Sequence, residues 1–336
     1  DTGDTGGEMR ATSWFSLYLP GYGPTRVSLG GTTGNRDLLF SWSPPPSGST
    51  DRFPNVDRYI VPFGSPADYA LPARATATQL EARWLGTARE GWGRLPYALD
   101  GAPITQTASE RPLQVSLSGT LQHALPGSLE DVVIIHVGPG RTPLRRLTPG
   151  LPLPVLSAEL PSFGRMVRQS SWAPGTPLDL NEALYPDGPQ LLPDRSQATA
   201  NLTAGLRTYT TTVLDESGVT GGFGTDLNAD YMEMLSMFEV LDPPIWFDSS
   251  GTGFPETIRV NRVLGRQLDL SSWFNRPCLI ILGTLRNSPS PVPVLVEGED
   301  VPSEGVTVVR WICPLPVVPP LTVPDARPEE IRPQGG

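Results

Sequence analysis

Proline and glycine constrain this chain more than any other feature. With 39 Pro and 35 Gly spread through 336 residues, regular backbone is interrupted so often that long helices have little room. Short strands joined by loops fit that spacing better. Apolar, β-branched segments recur between the breakers: Trp14 to Leu19, Leu38 to Trp42, Tyr59 to Phe63, Leu113 to Leu117 and Val132 to Val137. The series resumes at Leu206 to Leu214, Thr257 to Val263, Leu279 to Leu282, Val292 to Val296 and Val306 to Ile312. This pattern predicts an all-β sandwich or barrel. Leu113-Gln-Val-Ser-Leu-Ser alternates as a half-buried strand does, whereas Val132 to Val137 and Cys278 to Leu282 are continuous and belong in a covered core.

Helical periodicity surfaces in two places. From Asn228, a suitable N-cap, the residues Tyr231, Met234, Leu235, Phe238 and Leu241 recur at spacings of three and four until Pro243-Pro244 stops them. Ser162-Phe-Gly-Arg-Met-Val-Arg-Gln-Ser-Ser-Trp predicts a turn or two of helix, longest over 162–170. It follows Leu147-Thr-Pro-Gly-Leu-Pro-Leu-Pro-Val, whose prolines force extended backbone and place a domain break near residue 152. The expected organisation is a β-rich domain over 1–152, a second over 153–320, and an extended tail over 321–336. That tail is too poor in large apolar side chains to fold alone. Leu321, Val323 and Ile331 are its expected anchors on another surface, and five prolines between Pro319 and Gly336 lower the entropy lost when it is pinned.

The chain has no lysine, so all 25 cationic side chains are arginine, a bias that a GC-rich coding sequence explains. The consequence is chemical: no Walker A loop, Schiff-base lysine, kinase β3 lysine or Ser-x-x-Lys site can exist. A net charge of −10 argues against wrapping nucleic acid by phosphate neutralisation. Cys278 and Cys313 are too few for a disulfide framework and too far apart for a zinc knuckle, and each sits in an apolar run suited to a buried thiol. His123 and His136 have no ligand-like neighbours in sequence, and no metal or cofactor is expected.

Among enzyme motifs, Asp-Thr-Gly at 1–3 and 4–6 evokes an aspartic protease, but it lacks the apolar strand that must hold such an aspartate in a cleft. Trp246-Phe-Asp248-Ser-Ser-Gly only approximates the required second copy. No Gly-x-Ser-x-Gly elbow occurs, and the Gly-x-Gly triplets that start at Gly21, Gly91, Gly138, Gly222 and Gly251 lack the third glycine of a dinucleotide fingerprint. Carboxylate-pair glycoside cleavage survives as an alternative, with Trp84, Trp92 or Trp246 as sugar platforms if exposed, although core packing accounts for them equally well. Asn201-Leu-Thr203 is an acceptor for glycosylation only in a secreted chain. No stretch approaches the apolar length of a membrane span, and the opening residues do not resemble a signal peptide, so the chain reads as soluble.

Arg36 to Gly48, Ser162 to Gln169, Gly205 to Thr210 and Gly305 to Ile312 together resemble segments of the capsid proteins of picornavirus-like, non-enveloped positive-strand RNA viruses. Arg36-Asp-Leu-Leu-Phe-Ser-Trp-Ser-Pro-Pro-Pro-Ser-Gly is similar to a capsid strand running into a Pro-Pro-Gly-type loop. Ser162-Phe-Gly-Arg-Met-Val-Arg-Gln resembles the arginine-bearing segment near the start of a jelly roll, and Gly205-Leu-Arg-Thr-Tyr-Thr the Gly-x-Arg-Tyr strand after it. Gly305-Val-Thr-Val-Val-Arg-Trp-Ile resembles a closing jelly-roll strand. These matches cover about a fifth of the chain. The first half lacks an arginine-bearing opening segment of its own, and Thr208 stands where a basic or aromatic residue is usual.

The resemblance implies antiparallel jelly-roll β-sandwiches, no enzymatic activity, and self-assembly with other coat subunits into an icosahedral shell enclosing RNA. It also implies weak contact with the genome and residence in the virion after assembly in the host cytoplasm. A carbohydrate-binding or glycoside-cleaving β-sandwich, or a phage or bacterial surface module, is the competing expectation.

Overall fold

The computed structural model describes residues 9–18, 24–31, 37–43, 57–58, 68–71, 78–110, 113–138, 164–186, 190–192, 236 and 268–315. The strands in the first part of the chain are β1 (Met9–Leu17), β2 (Thr25–Leu29), β3 (Leu38–Ser43), β4 (Asp57–Arg58), β5 (Asp68–Leu71) and β6 (Thr78–Gly86). There follow β7 (Tyr97–Ala98), β8 (Thr105–Glu110), β9 (Leu113–Ser118), β10 (Thr120–Gln122) and β11 (Leu129–Val137). Next come β12 (Gly164–Trp172), β13 (Leu178–Asp179), the single helical turn α1 (Leu180–Leu184) and β14 (Gln190–Leu192). The last described part holds β15 (Cys278–Pro289), β16 (Val294–Val296), β17 (Glu299–Asp300) and β18 (Glu304–Pro314). Among the described residues all strand pairings are antiparallel and helix is confined to α1 and two 3-10 turns, so the fold is all-β.

The largest sheet has the order β12-β11-β15-β18. One face carries Leu129, Val132, Ile134, Leu279, Ile281, Leu285 and Val309 into a core closed by Ile104, Leu117, Leu121, Trp172, Leu180 and Leu184. The opposite face carries Val133, Ile135, Val137, Ile280 and Leu282, which are equally inaccessible. Burial on both faces is why Val132 to Val137 and Cys278 to Leu282 read as unbroken apolar runs instead of alternating ones. The first of these faces packs on the smaller sheets β13-β10-β7 and β14-β9-β8, sheet on sheet as in a sandwich. Asp179 caps α1 by accepting the Glu182 backbone N–H at 2.9 Å, which gives this isolated turn its start.

A second, smaller core lies between the sheets β1-β6-β3-β4 and β17-β16-β2-β5. Leu80, Ala82 and Trp84 of β6 and Val27 and Leu29 of β2 fill it at the two-residue spacing of strands. Close backbone approach at its rim requires glycine: a Cβ on Gly86 would lie 2.1 Å from the Gly31 carbonyl oxygen, and Gly31 itself has φ +63°.

One expectation is corrected. The segment expected to be helical over 162–170 is, from Gly164 onward, strand β12, paired residue by residue with β11 from Gly164↔Val137 to Trp172↔Leu129. A segment this short gains little as an amphipathic helix, while Val167, Ser170 and Ser171 suit an extended strand whose ladder partners β11 supplies. Described strands from either side of residue 152 pair with one another. β11 pairs with β12 and β15, β9 with β14, β10 with β13, and β16 with β2. The proline-rich stretch predicts an extended connection, and extension says nothing about whether the strands it joins share a sheet.

The expected strands at Leu38, Leu113, Val132, Leu279 and Val306 are present, while those at Leu206 and Thr257 and the helix over 228–241 fall outside the described residues, save Ser236.

Candidate functional site

The chemistry-bearing residues gather at two histidines and along one seam. His136 lies on β11 and is fully buried. Its Nδ1 is 2.7 Å from the Tyr185 hydroxyl and its Nε2 3.0 Å from Gln106 Oε1. The amide oxygen can only accept, so Nε2 carries the proton and donates it, and Nδ1 accepts from the tyrosine. Burial holds the imidazole pKa down to about 3 and pushes the Tyr185 phenol up, with the Arg165 guanidinium opposing the latter from 5.4 Å over the ring. At neutral pH both groups are uncharged. Gln106 Nε2 is buried without a hydrogen-bond partner.

His123 is likewise committed to the fold. Its Nε2 donates to the Trp172 carbonyl at 3.0 Å, its Nδ1 accepts the Leu125 N–H at 3.2 Å, and its ring meets the Trp172 indole edge-on at 4.6 Å. Burial lowers its pKa, against the opposing backbone hydrogen bond. The two rings act as polar struts between the layers.

Burial disfavours the thiolate at both cysteines. Cys278 donates to the Trp273 carbonyl at 3.4 Å, and burial, then the neighbouring Cys313, pushes its pKa up to about 12. Cys313 is raised by burial. Both are free, and no group of three or more His, Cys, Asp or Glu among the described residues could hold a metal.

Several of the described carboxylates are paired with arginine. Arg286 Nε donates to Glu130 at 2.9 Å and Arg168 to Asp131 at 3.1 Å, beside a bulge where Asp131 has φ +50°. Arg83 bonds Glu81 at 3.1 Å, and Arg26 pairs with Asp68. The tryptophans considered as sugar platforms are structural: Trp84 is buried with its indole N–H on the Gly30 carbonyl at 2.8 Å, and half-buried Trp92 donates to the Pro289 carbonyl at 2.9 Å. Trp246, Asp248, the Asp-Thr-Gly copies and the tail anchors Leu321, Val323 and Ile331 lie outside the described residues.

The seam joins the last hairpin to the first core. Between β15 and β18 the chain departs over residues 290–303, and Val292 and Val294 from this tip are buried in the smaller core beside Val27, Leu80 and Trp84. Three prolines at alternate positions, Pro289, Pro291 and Pro293, cannot donate, and each offers its carbonyl to the first half. They accept from Trp92 Nε1 at 2.9 Å, Arg89 N at 3.1 Å and Gly30 N at 2.9 Å. Arg89, nearly buried, donates to Asp300 at 2.6 Å and to the Val301 carbonyl at 2.8 Å.

No family model, curated protein or solved structure matches this chain. No helix among the described residues is long and apolar enough to cross a membrane. Sequence reasoning missed Gln106, Tyr185 and Arg89. Nothing in the sequence links 106, 136 and 185, but the alternate prolines ahead of Val294 did mark a strand with donors missing on one side.

Proposed function

We propose that this chain is a structural subunit of a non-enveloped, picornavirus-like capsid, built on jelly-roll sandwiches and assembling with other coat subunits around viral RNA. The observation that carries this reading is the β12-β11-β15-β18 sheet, whose central strands β11 and β15 are buried on both faces and which is clasped to a second β core. His123, His136 and Cys278 hydrogen-bond within that scaffold, which is consistent with a role carried by surface contact. The arginine-bearing segment at 164–169 forms an edge strand among the described residues, and the segment at 305–312 forms the opposite edge, as strands at the margins of such a sandwich do. Virion localisation, weak genome contact and an embracing C-terminal tail belong to the same proposal.

Negative-stain microscopy of the purified chain, alone and co-expressed with candidate coat partners, tests it. Closed particles of uniform diameter are expected. Persistent monomers in both preparations, across salt and pH, would remove the capsid reading, and saturable binding to a glycan array by those monomers would replace it with the sugar-binding one.

A further inference from the structure

The smaller core is finished by a segment from the far end of the chain. β16 pairs with β2 through Val294↔Leu29, Leu295↔Ser28 and Val296↔Val27, and Val292 and Val294 supply two of the nine buried residues described in that core. Remove residues 290–303 and two things appear together: an apolar slot lined by Val27, Leu29, Leu80 and Trp84, and a β2 edge whose backbone groups have lost their ladder. An unpaired edge beside side-chain pockets at alternate positions is the geometry that recognises an extended strand.

The neck of the tip is built to give way. A bulge interrupts β15 against β18 between Leu285 and Ser288, and exposed Asn287 holds φ +50°. The hydroxyls of Ser288 and Ser303, and Nε of Arg89, are buried there without hydrogen-bond partners, a cost of the closed seam that solvent would relieve. By contrast, strands β11 and β15 below the neck are sealed on both faces.

We propose that β2 with the Trp84–Arg89 segment forms a strand-acceptor site, filled in this chain by its own residues 290–303 and able to take the same segment from a second copy. The tip is then a releasable clasp. Contacts made within one chain and between two copies are identical, so exchange needs only opening at the neck. The inference stands on the described cores and does not depend on the capsid reading.

The full-length chain and a fluorescent peptide of residues 289–304 provide the test. In the V292D/V294D variant the peptide binds saturably, and wild type binds it roughly tenfold or more weakly because its own clasp occupies the site. Adding Arg89→Ala to the variant abolishes that binding. Equal binding to both chains, or to neither, overturns the proposal. So does hydrogen exchange in which the variant loses protection at 279–285, for the tip would then be inseparable from the large sheet. Exchange between copies is read separately from a Ser28→Cys, Leu295→Cys pair placed at registered positions. After refolding at high concentration, disulfide-linked dimers absent from the single-cysteine controls are expected, and only intrachain bonds at every concentration would overturn the second-copy step.

Discussion

The two cores are built from the same kind of strand and differ in how they are closed. The larger takes its buried residues from segments between Ile104 and Leu315 and covers one face of a sheet whose central strands are buried on the other face as well. The smaller relies on four strands before residue 87 and on a visitor from residues 292–294. One core is redundant, because each residue has neighbours from several strands. The other has a single keystone. The difference teaches that stability here is a property of how many independent segments close a core, more than of strand content.

Cutting into the redundant core should cost the most in equilibrium stability. Ile134→Ala removes a fully buried side chain from the centre of the large sheet, and a loss of ~2–5 kcal/mol is expected from transfer and cavity terms together. A chemical denaturation midpoint measures it. A fall of under about 0.5 kcal/mol would mean that the site collapses onto the void and that the core is not packed as described.

Acid attacks the same core by another route. His136 is held neutral in the fold with a pKa depressed to about 3, while the unfolded chain protonates it near its ordinary value of 6.5. As pH falls below 6.5 the unfolded state takes up the proton first, so stability is lost progressively toward pH 3 and is unaffected by this group above 6.5. The slope approaches about 1.4 kcal/mol per pH unit at most, and His123 adds in the same direction. Denaturation midpoints measured from pH 7 to 4 should show this fall in wild type and a shallower one in His136→Asn. Parallel slopes in the two proteins would place the acid sensitivity elsewhere.

Much of the larger core was legible in the sequence because burial on both faces writes an unbroken apolar run, as in Val132 to Val137 and Cys278 to Leu282. The segment at Gly164–Trp172 was misread because its apolar spacing fits a helix and a strand alike over so few residues. Only the partner strand β11, far from it in sequence terms, decides between them. The stretch around residue 152 is limited in the same way: prolines at 149, 152 and 154 report local backbone, whereas pairing such as β11 with β12 is a long-range fact. The site residues fared worst. His136 was visible as a histidine inside a strand, but Gln106 and Tyr185, which fix its tautomer and hide it, come from a separate strand and from the end of a helical turn.

The keystone makes a smaller but more localised prediction. Val292→Ala deletes about two methylene equivalents from the smaller core, for a loss of about 1.6 kcal/mol at about 0.8 kcal/mol per group. Its signature is spatial. Hydrogen exchange at Val27, Ser28 and Leu29 should accelerate while Leu279 to Leu282 keep their protection, the reverse of what Ile134→Ala produces. Uniform acceleration across both sheets would show one cooperative unit and erase the distinction drawn between the cores.

The smallest effect is expected at the rim of the clasp. Arg89 is nearly buried, with a side-chain exposure of 9%, while its partner Asp300 is about half exposed at 49%. Asp300→Asn removes the charge but keeps the acceptor oxygen, and the guanidinium retains its bond to the Val301 carbonyl at 2.8 Å. Solvent at Asp300 screens what Coulomb attraction remains, so a loss of only ~0.2–1 kcal/mol is expected. Because the pair is partly solvated, the difference between wild type and variant should shrink as salt is raised from 50 mM to roughly 1 M, where the screening length falls to about 3 Å. Thermal melts at the two salt concentrations read this directly. A loss several times larger and insensitive to salt would mean that Asp300 is sealed when the clasp is shut. The neck would then be a rigid joint instead of a hinge, and the smaller core would be as firmly closed as the larger.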